Sequence, residues 1–409
     1  MVRRAAFLFS LPILALACMA QSKPQPQQQS SAAAAQPQAP AAALSPDRAR
    51  FAFGGNAAEI PATFSDHIPF LPVTLNGSAP SLFVLDTTAK STSISPARAA
   101  ELGISANQPV GLILPGVGFP FSALPQLARD TLGTDLGRQY EGTLGADVLS
   151  RAVVVIDYAR ETVRIYDPST YKYQGHGSVM PLSFHNAMPV IHAKFSTPKG
   201  KQVEADFGVN TAMIAGIVFS RKFSDARHVF PTKGKIAQAY DPQLTGGENV
   251  SLFRLRYFKI AGSAAESPIA ELSSSTEADG GDTKLAGVIG AGFLQRFDIV
   301  FDYPHKQIIF DINANFKNYD EEDKSGIALV ASGPGLKTLQ VVHVVPNSPA
   351  GRAGIKAGDV IAGIDDEPAA NINLASAREM FRDVGHKYKL LVQRGDQTRE
   401  VTIQTERLL

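Results

Sequence analysis

The chain of 409 residues has a single cysteine, and its charges nearly cancel. One cysteine excludes an intramolecular disulfide bond. Because this residue, Cys18, lies in an N-terminal apolar segment, the body of the protein also lacks a cysteine nucleophile. A net charge of +1 gives no electrostatic reason to expect nucleic acid or a strongly anionic partner.

The motifs of several other chemistries are missing too. The sequence has no Gly-x-Ser-x-Gly elbow and no His-Glu-x-x-His zinc motif, and its eight histidines are scattered. GVIGAGFLQR (287–296) resembles a glycine-rich dinucleotide loop, but a related segment, GTLGADVLSR (142–151), lacks the third glycine. Neither segment has the strand-helix-strand setting and the downstream acid of a nucleotide site. We therefore expect no metal ion and no cofactor.

The first residues are typical of an export signal. Residues 1–20, MVRRAAFLFSLPILALACMA, combine a basic start, an apolar stretch and a small-residue end. The apolar stretch is short for a membrane span. Its end is either an ordinary cleavage site before Cys18 or, as we expect, a segment that resembles a bacterial lipobox and carries lipid on Cys18. Residues 21–47 are rich in Pro, Gln and Ala and predict a solvated linker. The predicted location is the periplasm or cell envelope, with a lipid anchor in a membrane.

The body of the chain contains one internal repeat. EGTLGADVLSRAVVVIDYARETVRIYD starts at Glu141 and is echoed by AGVIGAGFLQRFDIVFDYPHKQIIFD from Ala286. The matched glycines Gly145 and Gly290 are 145 residues apart (290 − 145), and the other matches keep this offset. The repeat predicts two related lobes.

The strands of this repeat end in matched acids. VVVIDY and DIVFDY are rich in β-branched and aromatic residues, which predicts a mainly β protein. Asp157 and Asp302 follow these strands, and we interpret them as structural acids that start turns. The predicted lobes are residues 48–168 and 169–316.

The two lobes also begin alike. IPFLPVTLNGSAPSLFVLDTTA (68–89) and NAMPVIHAKFSTPKGKQVEADFGVN (186–210) each run from an apolar-Pro-Val strand through a glycine to an acid, Asp86 or Asp206. An acid at the end of a buried strand costs free energy unless it is paired or used. The repeat therefore predicts that Asp86 and Asp206 occupy equivalent positions in the two lobes.

In these residues the chain resembles the aspartic proteases of the pepsin and retropepsin type, over roughly residues 50–316. The resemblance implies that Asp86 and Asp206 are catalytic, sharing one proton so that one acts as base and the other as acid. It also implies a flap hairpin over the cleft, for which residues 111–125 are the candidate. The residues that support the motif would be Thr87, Thr88, Phe207, Gly208, Gly145 and Gly290. Thr88 stands where this family has glycine, and Phe207 stands where it has threonine.

Residues 317–409 resemble a PDZ domain of the bacterial protease type, an α+β fold. SPAGRAGIKAGDVI (348–361) is the most specific motif. A PDZ domain binds an extended peptide, usually a C-terminal tail, as an added strand. The resemblance implies a carboxylate-binding loop at 325–327 and a groove formed by Gly326, Ile327, Ala328, Leu329 and Met380. The alternative is that the domain only packs on the lobes or on another subunit.

The layout resembles bacterial exported aspartyl-protease-like proteins with a C-terminal PDZ domain. The first hypothesis is an aspartic endopeptidase that acts on peptides or proteins and whose PDZ domain binds peptide tails. The alternative is a catalytically dead, peptide-binding adaptor or scaffold. A third possibility is that the lobes only support self-association.

Overall fold

Strands dominate the structure, a computed structural model, which confirms the predicted mainly β class. All the residues described belong to one unit, Ser45–Leu409. Cys18, the export signal and the linker lie outside the described residues. The structure describes residues 48–105, 107–127, 133–244, 246–275, 278 and 284–409.

The first lobe is a sheet with a hairpin and two short helices. Helix α1 begins where Ser95 accepts a hydrogen bond from the Arg98 amide and Pro96 takes the first helical position. The elements are β1 (Arg50–Phe51), β2 (Ala57–Ile60), β3 (Thr63–Ser65), β4 (Ile68–Leu75), β5 (Ser81–Leu85), β6 (Ser93–Ile94), α1 (Pro96–Glu101), β7 (Val110–Leu114), β8 (Val117–Phe121), β9 (Gly142–Leu144), α2 (Ala146–Leu149), β10 (Val153–Asp157) and β11 (Thr162–Tyr166).

The second lobe follows a similar order. Its elements are β12 (Ser178–Pro181), β13 (Ser183–His185), β14 (Met188–Ser196), β15 (Gln202–Asn210), β16 (Ile217–Ser220), α3 (Arg221–Arg227), β17 (Ala237–Asp241), β18 (Glu248–Arg254), β19 (Tyr257–Ile260), β20 (Ser263–Glu266), β21 (Ile269–Ser273), β22 (Gly287–Gly290), α4 (Ala291–Leu294), β23 (Phe297–Asp302) and β24 (Gln307–Ile312). This lobe adds the strands β19, β20 and β21 before β22, the equivalent of β9.

The lobes share a central sheet in the order β12-β24-β23-β10-β11-β2. Strands β10 and β23, which are the matched strands of the repeat, pair antiparallel across the lobe boundary, with Val154 opposite Phe301. Side chains from both lobes and from this sheet form one continuous apolar core. The two lobes are therefore joined by the strands that are equivalent in the repeat.

The repeat also fixes which residues are equivalent between the lobes. In lobe 1, β5 pairs in parallel with β9, and Leu85 is the partner of Leu144. In lobe 2, β15 pairs in parallel with β22, and Val209 is the partner of Ile289. Leu144 and Ile289 are 145 residues apart (289 − 144), the offset of the repeat. Leu85 is thus equivalent to Val209, and the residue after each is equivalent as well.

The C-terminal domain has its own sheet, in the order β25-β26-β27-β29-β30, and its own apolar core. One edge of the sheet is β25, and helix α6 lies alongside it. Its elements are β25 (Ile327–Ser332), β26 (Thr338–Val344), α5 (Pro349–Arg352), β27 (Val360–Ile364), β28 (Glu367–Pro368), α6 (Leu374–Met380), β29 (Lys387–Arg394) and β30 (Gln397–Gln404).

Candidate functional site

Asp86 lies directly after β5, where the chain leaves the sheet. Its amide donates to the Leu144 carbonyl at 3.0 Å, which continues the pairing of β5 with β9. Its carboxylate oxygen Oδ1 accepts hydrogen bonds from the Thr88 amide at 2.8 Å and the Thr88 hydroxyl at 2.6 Å. Thr88 thus holds this carboxyl group in place.

The environment of Asp86 disfavours its charged form. Burial raises the pKa of the Asp86 carboxyl above its ordinary value of 3.8, and the hydrogen bonds from Thr88 oppose part of that shift. A carboxyl group with a raised pKa takes up a proton more readily, which suits a group that exchanges protons with a ligand.

Two threonines bind the lobes together next to Asp86. The Thr87 hydroxyl donates to the Val209 carbonyl at 2.7 Å, and the Thr211 hydroxyl donates to the Leu85 carbonyl at 2.6 Å. Each hydroxyl also accepts a hydrogen bond at 3.2 Å from the backbone amide of the other threonine. Both side chains are fully buried. We call this reciprocal arrangement the threonine brace.

The brace shows that the predicted partner of Asp86 is wrong. Thr87 follows Asp86, and its counterpart Thr211 follows Asn210, so the equivalent of Asp86 is Asn210 and not Asp206. The Asn210 side chain repeats the geometry of Asp86, because its Oδ1 accepts from the Ala212 amide at 2.8 Å. The second lobe therefore presents an amide where the resemblance implies an acid.

Asp206 lies four residues earlier, within β15. Its side chain is 57% exposed and contacts His192 on β14, with 2.8 Å between Oδ1 and Nδ1. At about 3.3 Å per residue, its backbone is about 13 Å along the strand from that of Asn210. Asp206 belongs to an exposed polar cluster on the sheet, and the structure does not bring it to Asp86.

The other predicted motif residues of lobe 2 are also explained by packing. Phe207 is fully buried among the rings of Phe195, Phe219 and Phe258. A Cβ atom on Gly208 would lie 2.5 Å from the Met188 sulfur, so the glycine allows a close approach. Both residues support the β15 strand, and the prediction that they form the turn beside the acid is wrong.

The matched glycines of the repeat, Gly145 and Gly290, lie next to the loops that carry Asp86 and Asn210. Gly145 and Gly290 begin the short helices α2 and α4. A Cβ atom would lie 2.6 Å from the Ser91 carbonyl carbon at Gly145 and 2.2 Å from the Ala215 oxygen at Gly290. The two glycines thus allow the backbone of α2 and α4 to approach the loops that carry Asp86 and Asn210.

The predicted flap forms a hairpin, β7 and β8, with Leu114 opposite Val117. Strand β7 pairs with β4, and β8 pairs with β1. A Cβ atom on Gly116, in the turn, would lie 3.1 Å from Ala58 of β2, so the turn packs on the central sheet. The hairpin was predicted correctly, but the contacts of its turn are with the central sheet.

A segment of lobe 1, residues 133–138, lies on the predicted peptide groove of the C-terminal domain. We call it the strap. The Ala331 amide, on the edge strand β25, donates to the Thr134 carbonyl at 2.7 Å. Gly137 packs so closely on α6 that a Cβ atom would lie 2.5 Å from the Leu374 Cβ. The strap therefore uses the backbone donor and the helix face that an added peptide strand would use.

Arg378 of α6 holds the strap in place. Its Nη1 forms a 2.6 Å ion pair with Asp66, and its Nη2 donates to the Asp135 carbonyl at 2.7 Å and the Leu329 carbonyl at 3.1 Å. Sequence reasoning named Met380 for this face. Met380 is partly buried against the domain core, whereas Leu374 contacts Gly137 of the strap and Arg378 reaches the Leu329 carbonyl of β25. The spacing of four residues from Leu374 to Arg378 is the sequence signal for this face.

The predicted carboxylate-binding loop is engaged internally. The amides of Ser325 and Gly326 donate to Asp323 Oδ1 at 3.0 Å and 2.6 Å, and the Ile327 amide donates to the Ser325 hydroxyl at 3.0 Å. Gly326 has a φ of +75°, and a Cβ atom there would lie 2.2 Å from the Ser348 Cβ, so glycine is required. Burial raises the pKa of the Asp323 carboxyl to about 6. An incoming carboxylate would have to replace that of Asp323.

Among the described residues, no group of three His, Cys, Asp or Glu side chains is arranged to hold a metal ion. No helix in the part of the chain that the structure describes is long and apolar enough to cross a membrane.

Residues 315–393 match the PDZ domain family. The C-terminal domain is a PDZ domain. The chain is 37% identical over 84 residues to carboxyl-terminal-processing peptidase 2, chloroplastic, from Arabidopsis thaliana; the match covers 20% of this chain and 16% of that protein.

Two aspartic proteases are among the similar solved structures. The aspartic proteinase from Irpex lacteus aligns over 63% of this chain and 98% of its own, at 14% identity and a TM-score of 0.38. The retropepsin-like aspartic protease from Rickettsia conorii aligns over 34% of this chain and 96% of its own, at 15% identity and a TM-score of 0.25.

Proposed function

We propose that this chain is a peptide-binding protein whose lobes hold an extended peptide beside Asp86 and Asn210 without cleaving it. Its PDZ domain binds a peptide tail once the strap has moved. One observation carries the proposal: an amide occupies the position equivalent to Asp86 while the threonine brace around both loops is intact.

The chemistry of this pair favours binding over hydrolysis. Two carboxyl groups that share a proton supply a base for the attacking water and an acid for the peptide carbonyl. The Asn210 amide donates a hydrogen bond to a carbonyl, as a protonated carboxyl group does, but it cannot take up or release a proton. The pair thus keeps the donor and acceptor of a peptide site and has a single titrating group.

A second candidate function, the aspartic-type endopeptidase, is favoured by the state of Asp86. Its carboxyl is retained, it is held by Thr88, and burial raises its pKa. An enzyme of this kind would rely on Asp86 as its one proton carrier, and its activity would disappear in Asp86→Asn.

Peptide binding is tested with the purified full chain and a library of unmodified peptides. Bound peptides are identified by mass spectrometry, and their affinities are measured by fluorescence anisotropy. We expect Asn210→Leu to weaken binding at least tenfold, because it removes the amide donor. The matched variant Asp206→Asn, on an exposed part of the same strand, should bind as the unmodified chain does. Retention of no peptide, or equal binding by the Asn210→Leu protein, would contradict the proposal.

We also propose that the protein is exported and anchored by lipid at Cys18. The basic and apolar pattern of residues 1–20, followed by a long polar linker, supports this location. In a bacterial host, the chain should fractionate with membranes, and Cys18→Ala should release it into the soluble envelope fraction. Membrane association that is unchanged by Cys18→Ala would exclude the anchor.

A further inference from the structure

A cavity of about 540 Å³ lies where lobe 1, lobe 2 and the PDZ domain meet. Lobe 2 contributes Tyr240, Asp241 and Glu271 to its wall, and the PDZ domain contributes Leu329 and Arg378. Neither Asp86 nor Asn210 lines this cavity. It therefore forms a separate compartment beside the part of the PDZ groove that the strap leaves open.

Most of the carboxylates around the cavity already have a partner. The pairs are Asp66 with Arg378, Asp320 with Arg296, Glu321 with Lys324, Glu322 with Arg254 and Glu379 with Arg382, and Asp323 accepts backbone amides. Arg378 is fully engaged by Asp66 and two backbone carbonyls. Among the described residues, two acids of the wall, Asp241 and Glu271, form no ion pair, and each has one buried oxygen without a hydrogen-bond partner.

These two acids have buried oxygens that make no hydrogen bond within the described residues. Asp241 ends β17 and is 8% exposed; its Oδ1 accepts from the Gln243 amide at 2.8 Å, whereas its Oδ2 is unpartnered. Glu271 lies in β21, and its Oε2 is buried and unpartnered too. A buried acceptor without a donor costs free energy. Two such acceptors on one cavity wall are suited to a ligand that brings donors.

The remaining wall indicates the shape of that ligand. Val250, Leu252, Ile269 and the ring of Tyr240 line the same cavity and offer apolar surface next to the two acids. Basic side chains combine an aliphatic stem with a cationic head that has several N–H donors. The cavity thus has an apolar surface for the stem and two acceptors for the head.

We infer that this cavity binds the arginine or lysine side chain of a peptide ligand, with Asp241 and Glu271 as its acceptors. The inference deepens the proposed peptide-binding function and rests on it, because the basic side chain belongs to a bound peptide. It also selects the ligand: a peptide that presents a basic residue at the junction of lobe 2 and the PDZ domain is preferred.

The titration of the two acids agrees with this role. Burial is the main cause that raises the pKa of Asp241 to about 6 and that of Glu271 well above its ordinary value, and nearby Glu248 contributes to both shifts. Around Asp241, Asp135 adds to the shift and Arg378 opposes it. A carboxyl with a raised pKa is neutral at low pH and ionised at high pH. Affinity for a cation should therefore rise as the pH increases from about 6.

The test compares how two probes bind to the full chain: N-acetyl-arginine amide and its uncharged isostere N-acetyl-citrulline amide. Ligand-observed NMR at neutral to mildly alkaline pH measures the affinity of each probe. We expect arginine amide to bind at least tenfold more tightly than citrulline amide. Asp241→Asn and Glu271→Gln should each remove most of this preference. Glu266→Gln, at an exposed acid of the same lobe, is the matched control and should keep it.

The outcomes separate this inference from the proposed function. Equal binding of both probes, or an arginine preference that survives Asp241→Asn with Glu271→Gln, would overturn the inference even if library peptides bind. An arginine preference without any peptide binding would support the cavity and contradict the proposed function. Thermal unfolding of the variants controls for folding, and we expect no loss of stability because each substitution removes a buried acid.

Discussion

The threonine brace should be among the most sensitive points of the lobes. Thr211→Val keeps the size of the side chain and removes its hydroxyl. The Leu85 carbonyl then loses a donor at 2.6 Å, and the Thr87 amide loses an acceptor at 3.2 Å. Each buried backbone group left unpaired costs about 1–3 kcal/mol, so the two losses together cost about 2–6 kcal/mol. The extra methyl group of valine returns about 1 kcal/mol.

We therefore expect Thr211→Val to lower the free energy of unfolding of the lobes by about 1–5 kcal/mol. The assay is urea unfolding of the full chain, followed by far-UV circular dichroism. The PDZ domain has its own core, so its transition is fitted separately. The midpoint of the lobe transition should fall while its slope is unchanged, since the surface exposed on unfolding stays the same.

Two variants show whether the hydroxyl is responsible. Thr211→Ser keeps the hydroxyl and loses one methyl group, so it should cost about 1 kcal/mol. Thr402→Val, at an exposed position of β30, makes the same chemical change away from the brace and should be nearly neutral. If Thr211→Val were no more harmful than Thr402→Val, or if Thr211→Ser were as harmful as Thr211→Val, the reasoning would be refuted.

Two further predictions concern the strap and the buried acid. Arg378→Ala removes the ion pair and carbonyl contacts that hold the strap, so peptides with a free C-terminus should bind the PDZ domain about tenfold more tightly. Isothermal titration calorimetry measures this, with Lys389→Ala, at an exposed position of β29, as control; unchanged affinity in Arg378→Ala would show that the strap does not compete. Because burial raises the pKa of Asp86 above 3.8, the native state holds its proton at higher pH than the unfolded state does, and its contribution to stability falls as the pH rises through this window. Asp86→Asn should therefore gain stability relative to the unmodified chain as the pH rises above about 4 in thermal unfolding; parallel curves for the two proteins would contradict the shift.

The sequence predicted the duplicated architecture because the repeat is local and free of gaps. The constant offset of 145 residues aligned β9 with β22 and β10 with β23, and both pairs are equivalent in the structure. Asp157 and Asp302 were correctly interpreted as turn formers, because each accepts a backbone amide three residues later. These features could be predicted because strand patterns and turn-forming residues are both visible within a short segment of sequence.

The partner of Asp86 was missed because the first halves of the lobes do not keep that offset. Asp206 is an acid at a plausible distance from the preceding glycine, while the true equivalent, Asn210, has lost its charge. A usable signal was present in Leu85-Asp86-Thr87 and Val209-Asn210-Thr211, which share an apolar, polar, threonine order. Only the parallel pairing of β15 with β22 and the contacts between the lobes decide between the two alignments.

The occupied PDZ groove was beyond sequence reasoning for a different reason. The strap and the groove are separated by about 200 residues, and their contact depends on how the PDZ domain packs on lobe 1. Thr134 contributes a backbone carbonyl to it, which any residue supplies. The Asp323 carboxylate, which accepts the amides of the loop at 325–327, precedes that loop and has the sequence pattern of an ordinary turn acid.

The most direct test of the Asp86 and Asn210 pair is peptide cleavage. Peptides that bind the full chain are incubated with it from acidic to neutral pH, and the products are analysed by mass spectrometry. We compare three proteins: the unmodified chain, Asp86→Asn and Asn210→Asp. Only Asn210→Asp has carboxyl groups at both positions of the pair. We predict that the unmodified chain leaves every bound peptide intact at each pH. Cleavage by the unmodified chain that is lost in Asp86→Asn would contradict the account and make the protein an aspartic-type peptidase with one acid.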